Sequence, residues 1–242
     1  MISNYDIIYK NNLMLDFHLP ESENYDLFVY FHGGGLTAGV RGGVEVFAKT
    51  LAKHNIATAS IEYSLYPNAK YPDFIVDCAD AIRFLKDNYK FNKLYVGGSS
   101  AGGYISMMLC FDETFLKRVG LTPMDVNGFI HNAGQPTTHF RVLEEYGFDF
   151  RRLIVDEKSP LYYVGSAETY PPMLFIVSDN DMPCRYEQTL TTVKTMEYFG
   201  HKDKAFLKVV SGKHCEQTWK TDENGEGVFA NLILEFIDKI SN

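Results

Sequence analysis

Several features that would indicate particular classes of protein are missing from this 242-residue sequence. It has no apolar run of about 18 or more residues, so it predicts no transmembrane helix. Its 23 Lys and Arg residues are outnumbered by 31 Asp and Glu residues, which gives a net charge of −8. Because nucleic-acid binding needs a basic surface, we expect no nucleic-acid partner. Residues 1–10 lack the basic and apolar regions of a signal peptide, which favours a cytoplasmic location.

Cysteine is scarce as well. The cysteines lie far apart and form no CxxC pair: Cys78, Cys110, Cys184 and Cys215. This spacing excludes a disulfide framework and a metal-ligand pattern, so we expect reduced, mostly buried thiols and neither metal nor cofactor. Cys184 and Cys215 lie close in sequence to candidate catalytic residues, and a redox-sensitive pair is one interpretation of them. Two small buried side chains are the simpler interpretation.

Apolar runs alternate with amphipathic stretches along the chain, without internal repeats or low-complexity segments. This alternation is typical of βαβ units around a mostly parallel sheet of about eight strands with helices on both faces. Strands are predicted at Asp6–Tyr9, Leu13–His18, Leu27–Phe31, Ile56–Ile61, Leu94–Val96, Asn127–His131, Met173–Val177 and Ala205–Val210. Helices are predicted at Val44–His54, Asp73–Asn88, Tyr104–Cys110, Cys184–Phe199 and Val228–Ile240. We expect one α/β domain over residues 1–242, with the polar, aromatic-rich stretch 135–172 as a small lid-like insertion.

The strongest local signal is the GxSxG sequence at residues 98–102, with Ser100 at its centre. It lies between a short apolar strand and an apolar helix, which is the context of a nucleophile elbow. Gly98 and Gly102 are small enough to flank so tight a turn, whereas a motif centred on Ser99 has poorer flanks. A phosphate-binding loop is the alternative, but neither GK[ST] nor GxGxxG is present.

A second signal is His32 followed by Gly33, Gly34 and Gly35, directly after a buried strand. Successive glycines let the backbone approach a ligand closely. In esterases and lipases such a loop directs backbone N–H groups at the oxyanion that develops during acyl transfer. We therefore expect an oxyanion hole formed by Gly34, Gly35 and Ala101. Alone the loop would be interpreted as a flexible turn, but the two motifs in this order indicate acyl transfer.

A serine nucleophile needs a base, and the base needs an acid that orients it. In enzymes with a nucleophile elbow, the acid and then the histidine follow the serine along the chain. The candidate bases are His131, His139, His201 and His214. His214 is favoured because it lies in a loop after the last predicted strand, at the edge where open α/β sheets form their sites. Asp181 is favoured as the acid over Asp179, which we expect to shape the turn.

Together these motifs resemble the α/β-hydrolases of the HGGG class. This group contains hormone-sensitive-lipase-like and bacterial esterases, with feruloyl-esterase-like and arylformamidase-like members. Residues 61–67, IEYSLYP, resemble the group's DYRLAP segment, residues 178–181 its GxxD acid loop, and residues 213–214 its histidine loop. The chain departs from the pattern at Ser99, where lipase-like members often have Asp, and at Ser64, which replaces the usual Arg.

The resemblance implies an α/β-hydrolase fold and a serine hydrolase of the carboxylesterase type. Such an enzyme would cleave small or short-acyl esters through an acyl-enzyme intermediate, with Ser100 as nucleophile, His214 as base and Asp181 as acid. Most aromatic residues of the insertion are expected to pack it onto the core, while one or two line a pocket. These aromatic residues are Phe140, Tyr146, Phe148, Phe150, Tyr162, Tyr163 and Tyr170.

Other functions share this chemistry. An arylformamidase or other amidase, an acetylxylan-type deacetylase of sugars and a feruloyl esterase would use the same triad, so the motifs do not separate them. An inactive hydrolase fold that serves as a binding module is a different class, and it usually lacks one of the catalytic residues. The expected partner is a small-molecule ester, neutral because the protein offers no positive field. The sequence gives no signal on oligomeric state and is compatible with a homodimer.

Overall fold

Eight strands form one sheet in a computed structural model that describes residues 1–241. The strands are β1 (Ile2–Lys10), β2 (Leu13–Leu19), β3 (Asp26–Phe31), β4 (Ile56–Ile61), β5 (Leu94–Ser99), β6 (Gly128–Asn132), β7 (Met173–Asn180) and β8 (Ala205–Lys213). Their order across the sheet is β1-β2-β4-β3-β5-β6-β7-β8. Only the pairs β1–β2 and β2–β4 are antiparallel within these residues. The mostly parallel α/β sheet predicted from the sequence is confirmed.

The described residues also contain seven α-helices, which cover both faces of the sheet. They are α1 (Glu45–Lys53), α2 (Asp73–Asn88), α3 (Ala101–Phe111), α4 (Glu113–Lys117), α5 (Phe140–Glu145), α6 (Arg185–Tyr198) and α7 (Val228–Ser241). Helices α1 and α7 pack together on one face, whereas α2 and α3 pack on the other. Helix α3 is buried along its whole length, which explains its uniformly apolar sequence. Within residues 1–241 no helix has the length and apolar character needed to cross a membrane.

Aromatic rings fill the core between the sheet and the pair α1–α7. Phe47 of α1 and Phe229 of α7 meet edge to face with ring centroids 5.3 Å apart, and Tyr30 of β3 lies 4.9 Å from Phe47. Each such pair contributes about 0.5–1.5 kcal/mol beyond the area that it buries. The cluster therefore holds β3 firmly, and β3 leads directly into the glycine loop.

Several strands extend further than the sequence predicts, β5 and β7 among them. Strand β5 continues past the predicted end at Val96 to Ser99, and β7 continues past Val177 to Asn180. A Cβ atom on Gly97 would lie 2.5 Å from the backbone oxygen of Ile130 on β6. This close approach between strands requires glycine at position 97. Because glycine has a low strand propensity, the sequence pattern alone ends the strand too early.

The stretch 135–172 lies over α3. It contains α5 and a short 3-10 helix, Pro160–Tyr163, which packs on α3. The Tyr104 hydroxyl of α3 donates a hydrogen bond to the backbone oxygen of Lys158 at 2.6 Å. The insertion is thus anchored to the core, and its role as a lid stays a prediction.

The parallel strands determine where candidate site residues collect. Strands β3, β5, β6, β7 and β8 run in the same direction, so their carboxyl ends lie at one edge of the sheet. The segments after these strands carry His32, Ser100, Asp181 and His214. Residues that are far apart in the chain are therefore neighbours at this edge.

Candidate active site

Ser100 occupies a sharp turn between β5 and α3. Its φ of 55° and ψ of −112° are unusual for a residue with a side chain. Strain of this kind costs on the order of 1–3 kcal/mol and needs support from its surroundings. The Ser100 N–H donates to the backbone oxygen of Asn132 at 2.8 Å, and the Tyr104 N–H donates to the backbone oxygen of Ser100 at 2.9 Å. Both sides of the strained residue are therefore held by hydrogen bonds.

The glycines around Ser100 allow three backbone segments to touch. A Cβ atom on Gly102 would lie 2.0 Å from the Phe31 oxygen, and one on Gly98 would lie 2.5 Å from Gly102. A Cβ atom on Gly33 would lie 3.3 Å from the Ser100 Cβ. Because β3, β5 and α3 pack backbone to backbone here, no larger side chain fits at Gly98 or Gly102 without moving a strand.

His214 and Asp181 lie on the segments that follow β8 and β7. His214 Nε2 is 2.8 Å from Ser100 Oγ, and His214 Nδ1 is 2.5 Å from Asp181 Oδ1. Since a carboxylate can only accept, Nδ1–H donates to Asp181 and Nε2 accepts from the Ser100 hydroxyl. Ser178 Oγ donates to the Lys213 oxygen at 2.9 Å and ties the two segments together. The structure brings the three side chains selected from the sequence into one hydrogen-bonded chain.

The Asp181 carboxylate is buried, with 1% of its side chain exposed. Burial acts to raise the pKa of Asp181, but the hydrogen bond and charge of His214 and two backbone N–H donors hold that pKa below its usual range. The carboxylate therefore stays ionised and fixes the His214 tautomer. Asp179 instead accepts from the Gly212 N–H at 3.0 Å at an exposed position. Asp179 thus links the ends of β7 and β8 and does not reach His214, and its role in shaping the turn stays a prediction.

The other candidate bases are engaged elsewhere. His131 is buried in β6 with Nδ1 2.9 Å from Ser106 Oγ, and burial lowers its pKa to about 3. His139 accepts a backbone hydrogen bond at the start of α5, and burial lowers its pKa as well. The His201 ring packs edge-on against a tyrosine. Among residues 1–241, His214 alone of the candidates hydrogen-bonds to Ser100.

The glycine loop after β3 is fixed by its own histidine. His32 Nδ1 lies 2.7 Å from the Gly33 oxygen, and since a carbonyl can only accept, Nδ1 carries the proton. Burial lowers the pKa of His32, so the ring stays neutral. Gly34 and Gly35 line the pocket that contains Ser100, and Ala101 directly follows that serine. Within the described residues, the backbone N–H groups of Gly34, Gly35 and Ala101 have no hydrogen-bond acceptor.

A pocket with a cavity volume of about 570 Å³ opens at Ser100. No Asp, Glu, Lys or Arg contributes to its lining in the part of the chain that the structure describes. Its apolar lining includes Val40, Val44, Phe140, Met182 and Trp219. Such a pocket favours an uncharged ligand with apolar groups.

Among the aromatic residues of the insertion, Phe140 lines this pocket. A Cβ atom on Gly35 would lie 3.1 Å from its ring, so Phe140 packs directly on the glycine loop. Tyr170 is buried in the core, as expected for packing residues. Tyr146, Phe148, Phe150 and Tyr162 are between 49% and 58% exposed, so they pack onto the core less than expected.

Some supporting residues were missed in the sequence. Asn132 ends β6 fully buried; its Nδ2 donates to Ser99 Oγ at 2.9 Å, and its Oδ1 accepts from Gln217. Arg185 is buried at the start of α6 and donates to the Ala133 oxygen at 3.1 Å. Burial lowers the pKa of Arg185 to about 10. Their one sequence signal is position, because each stands at or shortly after the end of a parallel strand.

The four cysteines are free thiols, and three of them are buried. Cys184 is exposed whereas Cys215 is buried, and burial raises the pKa of Cys215 to about 12. Disulfide exchange needs a thiolate, and the burial of Cys215 disfavours one, which argues against the redox interpretation. No cluster of three or more His, Cys, Asp or Glu among residues 1–241 is arranged to hold a metal ion.

Comparison with known proteins identifies the family of this chain. The model of the family described as BD-FAE matches residues 15–148, which is more than half of the chain. The protein belongs to the BD-FAE family. This BD-FAE member is 22% identical over 228 residues to the isoprenylcysteine alpha-carbonyl methylesterase of Arabidopsis thaliana, covering 82% of this chain and 52% of that relative. The chain spans about half the length of the curated relatives that it matches first.

Solved esterase structures share the fold of this BD-FAE protein. Esterase B from Lactobacillus Rhamnosis aligns with a TM-score of 0.78 at 18% identity, over 99% of this chain and 86% of that chain. A thermophilic esterase from Thermogutta terrifontis aligns with a TM-score of 0.75 at 17% identity, over 98% of this chain and 94% of that chain. The α/β-hydrolase fold implied by the sequence resemblance is confirmed.

Proposed function

We propose that this protein is a carboxylic ester hydrolase of the serine type that cleaves small, uncharged esters. The hydrogen-bonded chain from Ser100 Oγ through His214 to Asp181 carries the proposal. A serine hydroxyl is a weak nucleophile near neutral pH, and this arrangement supplies the base that activates it. The family match and the esterase names of relatives and fold neighbours support the same reaction class.

In the proposed reaction, Ser100 Oγ attacks the ester carbonyl carbon while His214 Nε2 takes the hydroxyl proton. A carbon–oxygen bond forms, and the carbonyl electron pair moves onto its oxygen. The intermediate then expels the alcohol, which receives the proton from His214, and leaves an acyl-enzyme on Ser100. Water then attacks the acyl carbon while His214 Nε2 takes its proton. The bond between that carbon and Ser100 Oγ breaks, the acid leaves, and Ser100 Oγ receives the proton back from His214. The ionised Asp181 stabilises the imidazolium in both steps.

The negative oxygen of each intermediate needs donors that are already in place. We assign this role to the N–H groups of Gly34, Gly35 and Ala101, which have no acceptor within residues 1–241. The His32–Gly33 hydrogen bond fixes the loop that carries two of them. Preorganised donors of this kind contribute about 2.7–4 kcal/mol each to lowering the barrier.

Substitution of the nucleophile tests the proposal. We expect Ser100→Ala to lower kcat for p-nitrophenyl acetate at least about 10⁴-fold and to abolish labelling by a fluorophosphonate probe. Ser22→Ala, at a partly exposed serine outside the pocket, serves as the control and should retain both. Full activity of Ser100→Ala would contradict the proposal.

A substrate panel tests the finer assignment. The pocket of about 570 Å³ and its uncharged lining favour acetate and butyrate esters over palmitate. Amide and formamide hydrolysis would use the same three residues, so N-formylkynurenine, acetylated xylose and a feruloyl ester belong in the panel. Preference for palmitate would contradict the short-acyl assignment, and faster turnover of the formamide would replace ester by amide hydrolysis.

A further inference from the structure

Trp219 is the only tryptophan in the sequence, and it lies at the pocket that contains Ser100. Its side chain is 61% exposed, an unusual position for the largest apolar side chain in the protein. It follows His214 by five residues, and neither the proposed acylation chemistry nor the core packing uses it. An exposed indole at the rim of this pocket is therefore placed to contact a bound ligand.

The backbone around Trp219 is held in place rather than loosely attached. A single 3-10 turn, Glu216–Thr218, separates it from the His214 segment, and the Trp219 N–H donates to the Glu216 oxygen at 3.4 Å. Gln217 and Thr218 are buried, and both lie in the hydrogen-bond network of Asn132 beneath the elbow. The indole is thus an exposed apolar surface presented by a rigid turn.

Met182 stands in a matching position on the other segment. It follows Asp181 directly, its N–H donates to Asp181 Oδ1 at 2.7 Å, and its oxygen accepts from the Arg185 N–H at 3.0 Å. Its side chain is 39% exposed and lines the same pocket as Trp219. Both apolar residues are therefore carried by the segments that position the base and the acid.

The proposed reaction assigns this side of the pocket to one part of the substrate. His214 delivers its proton to the alcohol oxygen, so that oxygen must lie next to His214 Nε2. The carbonyl oxygen must face the N–H donors of the glycine loop, where Phe140 packs on Gly35. The alcohol oxygen and the carbonyl oxygen are thereby directed to different lining residues.

We propose that Trp219, supported by Met182, binds the alcohol part of the ester and selects substrates whose alcohol is flat, apolar and uncharged, such as an aromatic alcohol. The inference rests on the proposed ester hydrolysis and adds a substrate class to it. A flat ring stacks on an indole face, and the uncharged lining supplies no partner for a charged alcohol. Trp219 is in this view a specificity-determining residue.

Two esters with the same acyl group test this assignment. Benzyl butyrate and ethyl butyrate differ in the alcohol alone, and the ratio of variant to wild-type kcat/KM cancels their intrinsic reactivities. We expect Trp219→Ala to lower kcat/KM for benzyl butyrate about three- to tenfold and to leave ethyl butyrate within about twofold. Trp219→Phe should restore most of the loss because it keeps a ring. Tyr198→Ala, an 85% exposed aromatic residue outside the pocket, is the matched control.

Further readouts separate a role in alcohol binding from a general defect. Both esters give the same butyryl-enzyme, so Trp219→Ala should leave the deacylation rate unchanged. Phe140→Ala should show the opposite pattern, altering the preference between ethyl acetate and ethyl butyrate and not between the two alcohols. In Ser100→Ala, benzyl butyrate should protect the emission of the single tryptophan from acrylamide quenching, and ethyl butyrate should protect it less.

Equal loss on both esters, slower deacylation or unaltered kinetics in Trp219→Ala would overturn the assignment. These outcomes leave the proposed function intact, because that function depends on the loss of activity in Ser100→Ala. Conversely, an active Ser100→Ala variant would remove the basis of both.

Discussion

Replacing Asp181 by Asn tests the hydrogen-bond chain at its buried end. Asp181 accepts from His214 Nδ1 at 2.5 Å. An Asn amide can donate to Nδ1, which then acts as acceptor, so that the proton moves to Nε2 and this nitrogen can no longer accept from Ser100. The loss of the productive tautomer is expected to lower kcat about 10⁴-fold, which corresponds to about 5.5 kcal/mol in the barrier.

Asp179→Asn is the matched control, because Asp179 lies two residues before Asp181 and, within residues 1–241, accepts only from the Gly212 N–H at 3.0 Å. Because Asp179 does not contact His214, we expect kcat to stay within about threefold. The loss of one exposed hydrogen bond should lower stability by about 0.5–1.5 kcal/mol at most. The assay is p-nitrophenyl acetate hydrolysis, normalised by active-site titration, with thermal unfolding to confirm that both variants fold. Similar losses in the two variants, or a larger loss in Asp179→Asn, would refute the assignment of Asp181 as the orienting acid.

Two further predictions concern stability. Burial lowers the pKa of His131 to about 3 in the folded protein, whereas a histidine in the unfolded chain has a pKa of about 6.5. Between these two pH values the unfolded chain therefore binds a proton that the folded protein does not. Stability is therefore lost as pH falls through this window, and between pH 6.5 and 5 the wild type should lose about 2 kcal/mol more than His131→Phe in urea unfolding; equal losses would contradict this. A Cβ at Gly102 would lie 2.0 Å from the Phe31 backbone oxygen, so Gly102→Ala should lower the unfolding free energy by about 3 kcal/mol or more and reduce kcat. Gly42→Ala, with open space around it, should leave the unfolding free energy unchanged.

Elements with strong local patterns could be predicted from the sequence. The bounds of β4 and α2 agree with the prediction, because a strand of small and apolar residues, IATASI, and an amphipathic helix can each be recognised from their own residues. The antiparallel edge was harder. Strand β1 begins at Ile2, before the predicted Asp6, since its outer residues are mostly exposed and carry no clear alternation. Pairing with β2 produces the strand, and that contact is not visible in the local sequence.

The candidate site divides in the same way. Ser100, Asp181 and His214 could be selected because short motifs and chain order mark them. Asn132 and Trp219 carry no motif, and their importance follows from which strand ends become neighbours in the sheet. The ion pair between Lys10 and Asp77, at 2.7 Å, is a further contact across 67 positions that only the fold brings about.

The contrast between the elbow and the pocket rim has an evolutionary consequence. The place of attack is set by main-chain contacts of Gly98 and Gly102, which tolerate no change of side chain without a shift of β3 or α3. The rim is formed by exposed side chains, with Val40 at 70%, Trp219 at 61% and Met182 at 39% exposure. In the proposed reaction, the chemical step and the choice of substrate thus depend on separate residues. Selection, in nature or in a directed library, can therefore retune substrate range at the rim without rebuilding the catalyst.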